Sequence, residues 1–231
     1  MKPIAIIDSR SPDDVKENLA MGFKIIPIPP INLVAEPISS HPDIQIFVHN
    51  NSAFTHPAIP RDVIKSLEKY CNVNICSTKL NNKYPLDIPY NIVCIGNIAF
   101  HKVEYTPSEI KKYFTDNNIS LINTNQGYSK CSTLVVNDKS IITADKSIHN
   151  IAIANGIDSL LITPGFINLP GYKHGFIGGA SGLFKKTILL TGKIDHHPDC
   201  ETIIDFINKR DINISYLSKN PIIDIGSILT I

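Results

Sequence analysis

Apolar residues recur at helical spacing in five segments of the chain, and each segment runs into a short stretch rich in Ile and Asn. Each segment has a helix-opening residue, about three turns of helix and then a β-branched strand. The segments begin at Pro12, Pro60, Pro107, Asp145 and Pro198. This near-regular spacing indicates one supersecondary unit repeated five times.

Local signals predict where the helices begin. Pro12 and Pro107 are placed at the first helical position, where the missing N–H of proline costs nothing. Thr106 and Asp145 have the side-chain oxygens of N-caps. Thr106 and Glu109 have the spacing of a capping box.

Further β-branched runs between the helices predict strands. They are residues 3–8, 44–49, 91–96, 132–136, 140–145, 174–179, 187–192 and 221–231. Hairpins are expected around Asn137-Asp138-Lys139 and around Ser181-Gly182. A unit then contains two strands, a helix and a third strand. Because the chain starts with a strand that leads directly into a helix, the unpaired C-terminal strand is expected to complete the first unit and close a ring.

Composition favours one α/β domain. No linker rich in Pro, Gly or Ser and no charge run divides the 231 residues. Charged residues make up only 19% of the chain, which fits many strands buried on both faces. We predict a single domain, 1–231, with units at approximately 1–43 plus 221–231, 44–89, 90–130, 131–173 and 174–220.

The charge and the cysteine content indicate which partners and which cellular compartment to expect. The formal net charge is +1, and no basic block or aromatic platform indicates nucleic acid. The N-terminal apolar run is too short for a signal peptide, and no run approaches the roughly 20 apolar residues of a membrane span. Five cysteines without a CxxC pair are expected to be reduced thiols in a cytoplasmic protein.

Three segments carry a family resemblance: NQGYSKCSTLVVNDKSIITADKSI (125–148), GFIGGASG (175–182) and DIGSI (224–228). With the five units, they make the whole chain resemble the pentein superfamily of guanidino-group-modifying enzymes, and most closely an uncharacterised bacterial family assigned this fold. The resemblance implies a closed five-bladed ring of ββαβ units, an α/β propeller. The superfamily includes arginine deiminases, amidinotransferases and dimethylarginine hydrolases, and also a non-catalytic ribosome anti-association factor.

The resemblance implies a funnel at the inner-strand ends, which in catalytic members holds a Cys nucleophile, a His base and carboxylates for the guanidinium. Here the terminal segment DIGSILTI offers Ser227 and Thr230 but no Cys. The segment GFIGGASG has glycines and Ser181 where the family's His is expected. The last cysteine, Cys200, falls within a predicted helix. The standard triad is therefore absent.

A relocated catalytic site would use Cys131 as nucleophile, with Lys130 beside it to stabilise a thiolate and His41 or His174 as base. The competing interpretation is that Cys131 is a small buried hydrophobe. Separately, His41-Pro42-Asp43 fits either a His–carboxylate pair in the funnel or a proline turn whose polar residues cap the start of a strand, and the turn is favoured.

Polar residues near predicted strand ends are candidates to bind a ligand in the funnel. They are Asp8, Asn50, Asn97, Ser181, Asp224 and Ser227. The loop GYSKCST (127–133) is expected to form part of the site, with Lys130 directed toward the axis. In the run DHHPD (195–199) neighbouring side chains diverge, so we predict the start of the fifth helix and no metal site. No cofactor is predicted.

Two function classes fit the sequence. The first is a protein that binds a small polar ligand or a partner at the axial funnel without turnover. The second is a hydrolase or transferase acting on guanidino or amide-like substrates through Cys131. The enzyme interpretation requires Cys131 within hydrogen-bond reach of a His or Lys in an open funnel. The sequence leaves the oligomeric state open.

Overall fold

Five three-stranded sheets and the helices between them form the fold of residues 2–231, the part of the chain that the computed structural model describes. The strands are β1 (Ile4–Asp8), β2 (Lys24–Ile28), β3 (Ile46–His49), β4 (Ser52–Thr55), β5 (Asn72–Ile75), β6 (Val93–Ile95), β7 (Ile98–His101), β8 (Ser120–Asn123), β9 (Thr133–Asn137), β10 (Ser140–Thr143), β11 (Asp158–Leu161), β12 (Ser181–Phe184), β13 (Thr187–Leu190), β14 (Asn213–Tyr216) and β15 (Leu229–Thr230). The helices are α1 (Asp13–Gly22), α2 (Pro42–Gln45), α3 (Arg61–Leu67), α4 (Ser108–Asp116), α5 (Lys146–Ala154) and α6 (Cys200–Asn208).

Every sheet has the same topology. A first strand pairs antiparallel with a central strand, and the central strand pairs parallel with the strand that follows the helix. We call β3, β6, β9, β12 and β15 the inner strands. The C-terminal strand β15 pairs antiparallel with β1, so that Ala5 lies opposite Thr230 and Ile6 opposite Leu229. It completes the first unit, as expected. No ladder joins one of these described sheets to the next; side-chain packing and single backbone hydrogen bonds, such as those from Asp43 N–H to Gly226 O and from Gly179 N–H to Cys131 O, hold the ring together.

The helix of each unit buries a pair of residues four positions apart, the spacing that places both on one helix face. The pairs are Val15 and Leu19, Val63 and Leu67, Ile110 and Phe114, Ile148 and Ala152, and Ile203 and Ile207. The central strands beneath them are almost entirely buried. The predicted repeat is thus confirmed at the level of packing.

The helix starts differ in detail from expectation. Pro12 and Pro107 are N-cap residues with extended backbone, one position before the first helical residue, so their placement inside the helix is wrong. Asp145 is confirmed as a cap, because its carboxylate accepts the backbone N–H groups of Ser147 and Ile148.

The predicted capping box does not form. The Thr106 hydroxyl lies 2.7 Å from Nδ1 of His101 and is used there. The Glu109 carboxylate accepts the backbone N–H of Ser77 from the neighbouring unit. Tertiary partners therefore replace the local ones.

The glycine-rich residues 174–179 form neither a strand nor a hairpin turn. The hairpin there is formed by β12 and β13, with its turn at Lys185-Lys186 instead of Ser181-Gly182. A Cβ atom on Gly179 would collide with Oδ1 of Asp224. A Cβ atom on Gly175 would lie 2.5 Å from Cβ of Asp224. The glycines allow the backbone to approach this carboxylate closely. The hairpin at Asn137 is confirmed.

The segment 195–199 leads into α6, with Asp199 at its N-cap position. The Asp199 carboxylate, however, accepts the backbone N–H of Thr163 and does not cap the helix. Within residues 2–231 no group of three or more potential ligand side chains is arranged to hold a metal ion. None of the helices in this range has the length and apolar character to cross a membrane.

Candidate functional site

A cavity of about 610 Å³ lies between the inner strands, and we call it the axial cavity. All five inner strands line it, with Phe47, Val93, Val135, Leu183 and Thr230 among their contributions. At one end the lining residues belong to the turns that follow inner strands: Asn50, Asn97 and Asp138. At the other end are Asp43 and Lys130, which precede β3 and β9.

A chain of hydrogen bonds forms the floor of the axial cavity, and we call it the polar plug. The Lys130 ammonium donates to Oγ of Ser227 at 3.0 Å. Ser227 Oγ donates to Oδ2 of Asp43 at 2.6 Å, and Cys131 Sγ donates to the same oxygen at 3.1 Å. The Asn91 amide donates to Cys131 Sγ at 3.0 Å.

All five units contribute to the polar plug from the residues just before their inner strands. These are Ser227 before β15, Asp43 before β3, Asn91 before β6, Lys130 and Cys131 before β9, and Gly178 before β12, whose carbonyl oxygen lies 3.0 Å from Ser227 Oγ. The topology therefore brings side chains that are far apart in sequence to one point on the axis.

Asn91 is a site residue that the sequence analysis missed. Its side-chain oxygen accepts the backbone N–H groups of Lys130 and Cys131, at 2.8 and 3.2 Å. It thereby fixes the start of β9 and the orientation of both candidate residues. Aligning the five units at their inner strands would have found it. Asn91 precedes β6 of the third unit at the position where Cys131 precedes β9 of the fourth unit.

Burial governs the ionisation of the plug. It raises the pKa of Asp43, and Lys130 and the Ser227 and Cys131 hydrogen bonds only partly oppose this effect. Burial raises the pKa of the Cys131 thiol well above its usual range, and the nearby carboxylates raise it further. Burial also lowers the pKa of Lys130, opposed by the Asp43 charge. Cys131 is thus held as a neutral thiol.

A second pocket, of about 170 Å³, lies beside the plug and shares no lining residue with the axial cavity; we call it the aromatic pocket. Its walls are Ile38, His41, Ile44, Tyr128, Cys131, Leu169, Tyr172, His174, Phe176 and Asp224. Burial lowers the pKa of His41 to about 3, with Arg10 adding to the effect. Burial and the Asp43 charge raise the pKa of Asp224 to about 7.

His41 and Asp224 are close but do not form a hydrogen bond. His41 Nδ1 lies 3.9 Å from Oδ1 of Asp224, and this buried nitrogen has no partner within residues 2–231. The carboxylate of Asp43 also keeps one buried oxygen, Oδ1, without a partner in that range. No hydrogen bond or ion pair joins His41 to Asp43 within residues 2–231, so the alternative of a His–carboxylate pair in this segment is not seen, and the carboxylate nearest to the His41 ring nitrogen is that of Asp224.

The structure divides the predicted site residues between the polar plug and the two cavities. Lys130 and Ser227 are in the plug with Cys131, and Lys130 faces the axial cavity. The other lining positions are Asn50, Asn97 and Ser181 in the axial cavity, and His41, His174 and Asp224 in the aromatic pocket.

Asp8 is the exception among the predicted residues. It ends a central strand, and its carboxylate accepts hydrogen bonds from the backbone and guanidinium of Arg10. Asp8 lines neither the axial cavity nor the aromatic pocket.

The hydrogen-bond partners of Cys131 are Asn91 and Asp43. No His or Lys in residues 2–231 makes a hydrogen bond to its sulfur atom. Cys131 and Lys130 also line different cavities. The contact that the enzyme interpretation requires is therefore not formed in this conformation.

Solved structures with the same architecture define the class. A mutant of DDAH from Pseudomonas aeruginosa complexed with citrulline is similar at a TM-score of 0.56 and 8% identity, covering 94% of this chain and 92% of that one. The inosamine-phosphate amidinotransferase from Streptomyces griseus is similar at a TM-score of 0.52 and 10% identity, covering 88% of this chain and 72% of that one. The N-terminal domain of a cyanobacterial arginine dihydrolase, bound to product, is similar at a TM-score of 0.53 and 7% identity, covering 94% of this chain and 90% of that one. The protein has the pentein fold.

Sequence comparison identifies the family within that class. The chain belongs to the family of unknown function DUF6873, whose model matches residues 6–229. No curated protein matches the sequence. At identities of 10% or below, the solved structures show the shared fold alone.

Proposed function

We propose that this protein binds a small polar ligand in the axial cavity and does not modify guanidino groups by Cys–His chemistry. The observation that carries the proposal is the floor of the cavity. There Lys130 provides an ammonium group, and Asp43 keeps a buried carboxylate oxygen without a partner in residues 2–231. Buried polar groups without partners cost free energy, and a ligand can supply the missing partner.

The floor favours a ligand with both hydrogen-bond donors and acceptors. Lys130 uses one of its three N–H groups on Ser227 and can donate another to a carboxylate or carbonyl oxygen. Asp43 Oδ1 can accept from an amino, amide or amidino group. A zwitterionic or amide-bearing small molecule satisfies both, and a volume of about 610 Å³ is within the usual range of ligand sites.

The state of Cys131 supports binding without turnover. A thiol attacks as its thiolate, and an apolar, buried position beside carboxylates raises its pKa and disfavours that form. Its hydrogen bonds to Asp43 and from Asn91 are those of a neutral thiol, with one donor and one acceptor role filled.

Native mass spectrometry of protein purified from its own host tests the proposal. The wild type is expected to retain a small molecule in stoichiometric amount, and Lys130→Met is expected to lose it. Lys146→Met is the matched control, because Lys146 is an exposed lysine outside the cavity. A wild type without bound mass, or equal retention in Lys130→Met, would refute the proposal.

The second candidate is a hydrolase or transferase acting on guanidino or amide-like substrates through Cys131. The observation in its favour is that Cys131 lines the aromatic pocket together with His41 and His174. Purified protein is incubated with arginine, agmatine and methylated arginines, and citrulline and ammonia are measured. We expect neither above the blank. Product formation that disappears in Cys131→Ala would replace the binding proposal with this one.

A further inference from the structure

We propose that the aromatic pocket is a second ligand site, independent of the axial cavity, which binds an alkylated ammonium ion such as a trimethylammonium group. Four properties of the pocket support this: its charge, its aromatic walls, its lack of acceptors along the aliphatic wall and its size.

Above about pH 7, where Asp224 is ionised, the charge at the pocket is negative. The buried cluster around the axis contains the carboxylates of Asp43 and Asp224 and one ammonium group, that of Lys130. One carboxylate is therefore without a matching cation, and Asp224 is the one that lines the pocket. His41, on the same wall, is neutral. Within residues 2–231 no Lys or Arg lines the pocket, so a monocation there would restore the balance.

The Asp224 carboxylate is held rigidly. Its Oδ1 accepts the backbone N–H of Gly226 and its Oδ2 accepts that of Phe176, both at 2.9 Å. These bonds come from the backbone, so they position the carboxylate without neutralising it. Its charge can act on a ligand across the pocket, where burial reduces the screening by water.

Three aromatic residues also line the pocket: Tyr128, Tyr172 and Phe176. The Tyr128 hydroxyl donates to Oδ2 of Asp87 at 2.5 Å, and its ring lies 6.4 Å from that of Phe176. Fixed aromatic rings attract cations through their quadrupoles, and quaternary ammonium groups are the ligands that such walls recognise best.

The aliphatic residues of the pocket favour a quaternary ammonium ion over cations that carry N–H groups. Ile38, Ile44 and Leu169 offer no side-chain acceptor. A guanidinium or a primary ammonium ion would lose its water and leave several N–H groups without partners there, which is costly. A quaternary ammonium ion has no N–H groups to satisfy. The volume of about 170 Å³ is close to the roughly 150 Å³ of a cavity that holds one benzene ring, and tetramethylammonium is of that size.

Titration calorimetry with tetramethylammonium chloride tests the inference. The probe is expected to bind, and Tyr172→Leu is expected to weaken binding by about 3- to 30-fold, because it retains apolar bulk and removes the ring. Phe166→Leu is the control: both aromatic residues are 47% exposed, and Phe166 lies outside the pocket. Two comparison probes are neutral 2,2-dimethylpropan-1-ol and guanidinium chloride.

The pH dependence provides a second readout. His41 lies on the same wall, with its Nδ1 3.9 Å from Oδ1 of Asp224, His174 also lines the pocket, and Asp43 and Lys130 lie near Asp224; His41 stays neutral above pH 5. Affinity is expected to fall between pH 8 and pH 6 as Asp224 takes up a proton. No binding, tighter binding of the alcohol or of guanidinium, or equal effects of the two Leu variants would overturn the inference. Because Tyr172 does not line the axial cavity, retention of the ligand there should be unchanged in Tyr172→Leu.

Discussion

Replacing Lys130 with Met is the most informative perturbation of the polar plug. The change removes the ammonium group and keeps an apolar stem of similar length. In the folded protein Lys130 donates to Ser227 and lowers the pKa values of both Asp43 and Asp224. The variant therefore leaves two buried carboxylates without a nearby cation.

The expected effect depends on pH. The pKa of Asp224 is about 7 in the folded protein against 3.8 for the unperturbed group, so ionising it in the fold costs up to about 4 kcal/mol, at about 1.4 kcal/mol per unit. A raised folded pKa makes stability fall as pH rises from about 4 to about 7. Lys130 offsets this cost only where the carboxylates are ionised. We expect Lys130→Met to lose about 2 kcal/mol of unfolding free energy at pH 8.

The loss should shrink at low pH. At pH 5 Asp224 is protonated in the folded state, and the buried ammonium of Lys130 then has less negative charge to pair with. Since burial lowers the pKa of Lys130, its own charge becomes a cost under these conditions. The variant is expected to match the wild type at pH 5. Urea unfolding of the wild type, Lys130→Met and the exposed control Lys146→Met at pH 5 and pH 8 measures both values.

A loss within about 0.5 kcal/mol at both pH values, as for an ordinary surface lysine, would refute the reasoning. A loss that is equal at pH 5 and pH 8 would show that Lys130 acts by packing alone.

Three further predictions concern the neighbourhood of the plug. Asp224→Asn should flatten the fall in unfolding free energy between pH 5 and pH 8, and an unchanged slope in urea unfolding would exclude Asp224 as its source. Gly179→Ala should lower stability by about 2–4 kcal/mol because its Cβ would meet the Asp224 carboxylate, whereas Gly22→Ala, with nothing within 4 Å, should change it by less than about 1 kcal/mol; calorimetric melting compares them. At pH 8 iodoacetamide should modify the partly exposed Cys200 before the buried Cys131, and mass mapping that finds Cys131 first would contradict its neutral, buried state.

The fold could be predicted from sequence because its determinants are local and repeated. Apolar residues four positions apart appear in each of the five helices, as in Ile110 and Phe114, and they pack as the pattern indicates. The unpaired C-terminal strand was enough to predict closure onto β1. Such signals require only neighbouring residues and the period of a helix or strand.

The details that could not be predicted depend on tertiary partners. Nothing near Thr106 in sequence shows that its hydroxyl contacts His101 instead of capping a helix. The run 174–179 is predicted to be a strand, but Gly175 and Gly179 are required there by the close approach of the Asp224 carboxylate, about 45 residues further on. The position of Asp8 at a strand end suggests a place in the funnel, but its carboxylate accepts a hydrogen bond from the Arg10 guanidinium instead.

The site itself was partly accessible to sequence reasoning. Lys130 and Ser227 were selected as polar residues near predicted inner strands, and both are in the plug. Asn91 was missed because a lone Asn before a strand is common, and only comparison between units shows that it is equivalent to Cys131. The separation of Cys131 and Lys130 into different cavities depends on side-chain direction, which spacing along the chain does not give.

The fivefold arrangement explains how one scaffold can hold different chemistries at its axis. The residues before the inner strands all point to one place, so the ring brings together five positions that are far apart in sequence. Here these positions supply a carboxylate, an amide, an ammonium with a thiol, a glycine carbonyl and a hydroxyl. The opposite charges of Asp43 and Lys130 balance within this set, which gives a neutral plug without an activated nucleophile, and Oδ1 of Asp43 is left without a partner in residues 2–231. A ligand that is itself close to neutral overall but rich in donors and acceptors is therefore the kind that the axial cavity can accept without upsetting this balance.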